Sequence, residues 1–517
     1  MGKRVDLSTA IDMIKDGDGI AISGFQLCTV ARGLYMGLLE RYETTGHPKG
    51  LTLMQAAGNK GVHDMTTPGL FSRYITGHYA GNEKMIGMVN ANEMTSYNFP
   101  QGVICHMYRA AAAGKLGEIT RIGLGTFCDP RLGGGKMNEA TTEDLVELVD
   151  VSGQEHLLYK VPQLNIALVR GTTADELGNI SIEEESAPVD LLDVVMAVKG
   201  MGGKVIVQVK NYVSSRSLPR SQVLIPGSMV DAVVVCENPE EDHRQTPAAF
   251  YDPLLAGHYR LDNVGFGDIP LNERKIIARR AAMELAPNSV VNLGIGIPEG
   301  VAAVASEEGI NEHVVLTIES GLIGGVPAGG EHFGSSYNAW AALHMTSQFD
   351  YYNGGNLNIA SLGFAEVDPT GNVNVSRFGT RIAGCGGFID ISQATPVLVF
   401  SGTMTAGGLV VEVNDGKLNI VKEGKRKKFL QSIGQITFSS ELSKKNNQKV
   451  LFVTERCVFE ITQDGLTLVE IAPGVNLEEH ILACMDFTPA ISPDLKLMDE
   501  RLFRDELMGL GGIIGVN

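Results

Sequence analysis

Short apolar runs that stop at glycine recur along this chain, and each is fed by a stretch with helical spacing. IAISGF (20–25) and VVNLGIG (290–296) share the layout, each following a polar turn, Asp16-Gly17-Asp18 or Pro287-Asn288-Ser289. Upstream of them, STAIDMIK (8–15) and KIIARRAAMELA (275–286) read as helices. Further helices are expected at TEDLVELVD (142–150) and DLLDVVMAVKG (190–200), and strands at KVIVQVKN (204–211) and PVLVFSG (396–402). Strands that alternate with helices predict an α/β protein with largely parallel sheets flanked by helices.

A second pair of segments is sharper. NIALVRGTTADELGNISIEEES (165–186) and LNIASLGFAEVDPTGNVNVS (357–376) both read as strand, D-x-x-G-N turn, strand. Turn residues of this kind between alternating runs mark a hairpin-like connection. Two matched elements in the same order predict a duplication, two homologous open α/β domains. The distance from Gly24 to Gly178 is about twice that from Gly294 to Gly371, so the first half carries an insertion. The polar, turn-rich stretch GHYRLDNVGFGDIPLNE (257–273) places the boundary, giving domains 1–270 and 271–517.

The chemistry is concentrated in VVLTIESGLIGGVPAGG (314–330). Five β-prone residues, Val314 to Ile318, deliver one carboxylate, Glu319, to the edge of a glycine-rich turn. In open α/β sheets ligands bind at the carboxyl ends of strands, and glycine lets backbone approach them closely. Ser320 reads as a turn residue. GCGGFID (384–390) offers backbone donors suited to a developing oxyanion, while nothing beside Cys385 would make it a nucleophile. PQGVICHMYRA (100–110) sets Gln101-Gly102 at a helix start. NLGIGIPEG (292–300) invites a nicotinamide-dependent oxidoreductase, but the third glycine of G-x-G-x-x-G falls on Glu299. There is no H-E-x-x-H and no G-x-S-x-G, so no metal is expected and serine catalysis has no support.

Composition narrows the partners. A net charge of −18 over 517 residues argues against nucleic acid. The run KEGKRKKFL (422–430) reads as a solvated helix face. Seven scattered cysteines, with no CxxC pair, fit a reducing cytoplasm. No apolar run reaches the roughly 18 residues of a membrane span, and the N-terminal residues lack the apolar core of a signal peptide.

Together these stretches resemble the class I coenzyme A-transferases, most closely the propionate/acetate CoA-transferase group. The resemblance runs through FPQGVICHMYRAAAAGKLG, GLGTFCDPRLGGGKMN, RGTTADELGNIS, VVNLGIGIPEGVA, ESGLIGGVPAGG, GNVNVSRFGTRIAGCGGF and FVTERCVFEIT, nearly the whole chain. It implies CoA transfer between a short-chain acyl-CoA and a free carboxylic acid, with Glu319 as nucleophile and a transient glutamyl-CoA thioester. It further implies oxyanion or CoA contacts from Gly294, Gly296, Gly386, Gly387 and Asn374, and substrate contacts from Gln101, Gly102, Gly24 and Phe25. CoA is then a substrate, no separate cofactor is expected, and the protein is a homo-oligomer, dimer or tetramer. An acyl-CoA hydrolase using the same glutamate is the nearest alternative. One departure stands out: Thr29-Val30-Ala31-Arg32 replaces the family's usual Pro-Glu segment, which implies an altered acyl pocket.

Overall fold

A computed structural model describes residues 2–262, 264–265 and 269–516. The chain forms two compact units, and their sequence limits interleave. The first comprises residues up to Asp262 together with Ile318–Asp350 and Gly379–Asp390; the second comprises the remainder.

The first unit is built on a seven-stranded, wholly parallel sheet. Its order is Ala232–Val235, Lys204–Val209, Ile166–Arg170, Gly19–Ile22, Leu51–Gln55, Phe71–Thr76, Thr95–Asn98. Ile166–Arg170 and Gly19–Ile22 are buried along their whole length, as strands covered on both faces must be. The chain leaves Gly19–Ile22 in one direction and later returns on its other side. This reversal of strand order is a topological switch point, where open α/β sheets place their ligands.

The second unit repeats the plan. Its parallel strands run in the order Lys449–Val453, Val397–Ser401, Ile359–Gly363, Ser289–Leu293, Val314–Thr317. These correspond one for one to the first five strands of the other sheet. Cys457–Thr462, Gly465–Ile471 and Ala490–Leu497 extend the far edge.

The D-x-x-G-N turns match down to single hydrogen bonds. Asp175 Oδ1 accepts from the amides of Leu177 and Asn179, and Asn179 Nδ2 donates to Asp175 Oδ2 at 2.9 Å. Asp368 Oδ1 accepts from the amides of Thr370 and Asn372, and Asn372 Nδ2 donates to Asp368 Oδ2 at 2.9 Å. Gly178 and Gly371 have φ of 84° and 91°, the left-handed conformation that glycine adopts freely. The duplication read from sequence is present in the backbone. The added length of the first half holds Phe71–Thr76, Thr95–Asn98 and an antiparallel sheet of Gly117–Thr120, Gln154–Lys160 and Val146–Val151.

Two expectations fail. TEDLVELVD is no helix: Val146–Val151 is an edge strand of that antiparallel sheet. Its apolar positions Val146 and Leu148 are two apart, and cross-strand pairing with Tyr159 and Leu157 decides between the periods. KEGKRKKFL is no solvated helix either. It contains the short strand Arg426–Lys427, and Lys428 is buried with Nζ 4.0 Å from the Phe364 ring centroid. Among the described residues no helix is long and apolar enough to cross a membrane.

Candidate active site

Gly24, Phe25, Gln101 and Gly102 lie just past the carboxyl ends of two strands of the first unit, Gly19–Ile22 and Thr95–Asn98. Gly19–Ile22 leads into Ser23-Gly24-Phe25. Gly24 has φ 142°, and a Cβ there would lie 2.5 Å from Asn59 Nδ2, so glycine is required. Ser23 Oγ and the Gly24 amide both donate to Asp190 Oδ1, at 2.7 and 3.2 Å. Asp190 is fully buried, and burial pushes its carboxyl up to about 7 despite these two bonds. Phe25 is buried and packs on Phe333 with centroids 5.6 Å apart.

Glu319 lies two residues past Val314–Thr317 and is half-buried. The turn behind it is closed by Gly321 N–H to Ile318 O at 3.0 Å. Gly321 has φ 114°, and a Cβ there would meet Leu343 O at 1.9 Å. Ser320 is fully buried and donates from Oγ to Gly334 O at 2.7 Å, which is the turn-fixing role expected of it.

The GCGG loop is clamped against the strand ends. Cys385 N–H donates to Asn98 Oδ1 at 2.9 Å, Gly386 N–H to Gly77 O at 2.7 Å, and Gln101 N–H to Gly386 O at 2.9 Å. A Cβ on Gly387 would lie 3.3 Å from Glu319 Cγ and 3.2 Å from Phe349 Cζ. The loop thus sets its backbone against the glutamate. Gly386's amide is already donated, while Gly387's amide has no acceptor among the described residues.

Gln101 opens the helix Gln101–Ala112, and its Nε2 reaches Met345 Sδ at 3.2 Å. Gly102 N–H donates to the buried Asp390 carboxylate at 3.0 Å. A negative group at a helix N-terminus satisfies a free amide and complements the helix dipole. A Cβ on Gly102 would stand 2.4 Å from Asp390 Oδ1, which explains the glycine.

Glu319, Gly386, Gly387, Gln101, Gly102, Gly24 and Phe25 therefore belong to one compact unit. Gly294, Gly296 and Asn374 belong to the other. Gly294 N–H is bonded to Ser361 O at 2.8 Å. The buried Asn374 donates from Nδ2 to Glu366 Oε2 and Arg377 O, at 2.6 and 2.7 Å, and its Oδ1 accepts from Ser376 N at 3.1 Å. Its amide builds a turn and has no hydrogen left for CoA in this conformation.

The segment that departs from the family is firmly held. Thr29 is buried with φ 60°, Val30 O accepts from Arg170 Nη1 at 3.0 Å, and Arg32 opens the helix Arg32–Thr45. Its guanidinium pairs with Asp64 at 2.9 Å and also with Asp242. Arg32, in the segment that implied an altered acyl pocket, is thus already paired with two carboxylates.

Sequence reasoning passed over Asp190, Asp390, Asn98, Gly77 and His78. The one local signal was TGHYAGN, another strand that ends at glycine.

A parallel-sheet unit with a switch-point loop, a strand-tip glutamate and a glycine loop packed on it defines an acyl-transfer enzyme of the CoA-transferase class. The sequence matches the coenzyme A transferase family over residues 4–236 and 274–481, and the chain belongs to that family. It is 44% identical to the caffeate CoA-transferase of Acetobacterium woodii, over the full length of both chains. It is 43% identical to the acetate CoA-transferase YdiF of Escherichia coli K12, covering 93% of this chain and 91% of that one. The crystal structure of the E. coli O157:H7 acyl-CoA transferase YdiF, as a thioester complex with CoA, superposes with a TM-score of 0.92. That match covers 98% of this chain and 97% of the other at 41% identity. Like these relatives, the protein is a CoA-transferase acting on acyl-CoA and carboxylic acids.

Proposed function

We propose that the enzyme exchanges CoA between a short-chain acyl-CoA, of the acetate or propionate type, and a free carboxylic acid, with Glu319 as nucleophile. The observation that carries this is the packing of Glu319 against Gly387, whose amide is unclaimed. The glutamate oxygen attacks the thioester carbonyl, the C–S bond breaks, and an acyl-glutamyl anhydride and CoA thiolate result. The thiolate attacks the glutamyl carbonyl, releasing the first acid and leaving a glutamyl-CoA thioester. The incoming carboxylate attacks that thioester carbonyl and displaces the thiolate, which then attacks the new acyl carbonyl and frees Glu319. No proton is consumed, so no general base is needed, and the order of events is ping-pong. Each tetrahedral intermediate carries an oxyanion that a backbone amide can hold.

The relatives' names, acetate and caffeate, span small and bulky acids; Phe25 on Phe333 is the apolar wall in the first unit that an acyl chain would meet. The same reading makes CoA a substrate rather than a resident cofactor and the enzyme a cytoplasmic homo-oligomer, whose size light scattering would give.

The test is an intact mass after incubation with acetyl-CoA without acceptor. A CoA adduct that maps to Glu319, absent from Glu319→Gln, is the expected result; an adduct elsewhere overturns the assignment. CoA release that runs as fast without a carboxylate acceptor as with one would make the enzyme a hydrolase.

A further inference from the structure

His78 follows the strand Phe71–Thr76 and lies beside the GCGG loop. Its Cδ2 is 3.9 Å from where a Cβ on Gly386 would begin, next to Gln101 Oε1 at 4.0 Å from the same point. Gly387, one residue on, meets Glu319. The ring is pinned from two further directions. Ala80 N–H donates to His78 Nδ1 at 2.9 Å, and Gln26 Nε2 lies 3.1 Å from that same nitrogen.

The proton position follows from these partners. A backbone N–H can only donate, so Nδ1 must present its lone pair to Ala80. Gln26 Nε2 also bonds Ala57 O at 3.1 Å, and a carbonyl only accepts, so the amide nitrogen is fixed as the atom facing the ring. Nδ1 therefore stays unprotonated, and the neutral ring carries its hydrogen on Nε2. Nε2 has no acceptor among the described residues.

We propose that His78 is an uncharged hydrogen-bond donor of the active site, giving Nε2–H to an oxygen of the bound acyl or carboxylate group beside Gly386. This rests on Glu319 as the nucleophile. Neutrality is what the chemistry asks for. An imidazolium would draw a carboxylate into an ion pair and blunt it, whereas a neutral N–H assists charge that develops on substrate. Burial acts in the same direction and pushes the imidazole down to about 4.

The decisive variant is His78→Asn. Its Oδ1 can replace Nδ1 as acceptor for Ala80 and Gln26; its Nδ2 then stands where Cδ2 was, one bond short of Nε2, so the donor at the Nε2 position is lost. The expected result is a fall in kcat of about 10²-fold, with KM for acetyl-CoA and the melting temperature unchanged. A purely structural His78 predicts wild-type kcat in this variant, and that overturns the proposal. Nitrogen-detected NMR of the wild type supplies an independent check: protonated Nε2 and bare Nδ1 across neutral pH support it, and a protonated Nδ1 or a ring that titrates near its ordinary value overturns it. A missing Glu319–CoA adduct in wild type would bring down the reading beneath the proposal. An adduct in wild type with full kcat in His78→Asn brings down the His78 role alone.

Discussion

Gly387 stands where any side chain would press on Glu319: a Cβ there would be 3.3 Å from Glu319 Cγ. Gly387 does not have a left-handed φ, so alanine suits its backbone and only the contacts, with Glu319 and with Phe349 Cζ at 3.2 Å, are at stake. Gly387→Ala should move the carboxylate by a few tenths of an ångström and lower kcat about tenfold, because small misplacements of reacting groups are costly. Melting temperature should barely change. Steady-state exchange rates beside a thermal melt check this; unchanged kcat would mean that the glutamate tolerates the displacement.

Asp190 gives a pH signature. Its folded carboxyl holds a proton up to about pH 7, whereas an ordinary one releases it near 3.8. Between those values the folded state binds more protons, so this group's contribution to stability falls as pH rises, by about 1.4 kcal/mol per unit. Asp190→Asn keeps the Oδ1 acceptor for Ser23 and Gly24 and removes the titration. Its stability relative to wild type should therefore climb from about pH 4 to about pH 7 and then level off. The depressed histidines His63, His78, His243 and His344, shared by both proteins, cancel in the difference. A flat difference would show that Asp190 titrates normally.

The matched turns should respond unequally. Asp175 is fully buried and also accepts from Arg216 N–H at 3.0 Å, whereas Asp368 is only half-buried. Asp175→Ala is expected to cost about 3 kcal/mol and Asp368→Ala about 1–2 kcal/mol, since stranded donors cost most where water cannot reach them. Denaturant unfolding of both variants gives the comparison.

Arg32 is expected to matter for stability more than for selectivity. With its guanidinium shared by Asp64 and Asp242, Arg32→Gln should cost about 0.5–1 kcal/mol, the scale of partly exposed pairs. The ranking of acids in an acyl panel should stay as in wild type. A changed ranking would assign the choice of acid to this segment after all.

Much of this was legible because it is local. Val314 to Thr317 form a strand on their own composition, the glycines after Glu319 mark the turn, and the D-x-x-G-N hairpins carry their hydrogen bonds within five residues. The misread stretches are those decided at a distance. Val146–Val151 becomes a strand because Gln154–Lys160 pairs with it, and Lys428 is drawn inside by Phe364. His78 was invisible for the same reason. Its meaning comes from Gln26, Ala57 and Gly386, which share no sequence neighbourhood with it. Asn374 shows the converse: a motif residue whose local bonds, to Glu366 and Arg377, leave its amide no free hydrogen.

The interleaved limits of the two units bear on synthesis. Domains generally fold as units, the N-terminal one first as the chain emerges. Here the first 262 residues emerge without the parts that finish their own unit. Phe25 waits for Phe333, Val189 O for Met345 N–H, and Gly77 O for Gly386 N–H. The nascent first unit therefore stays open until translation has passed Asp390, by which point most of the second unit's parallel strands have also been made. The first unit thus closes only after residues 263–317 and 351–378 of the second have been made, with residues 391–517 still to come.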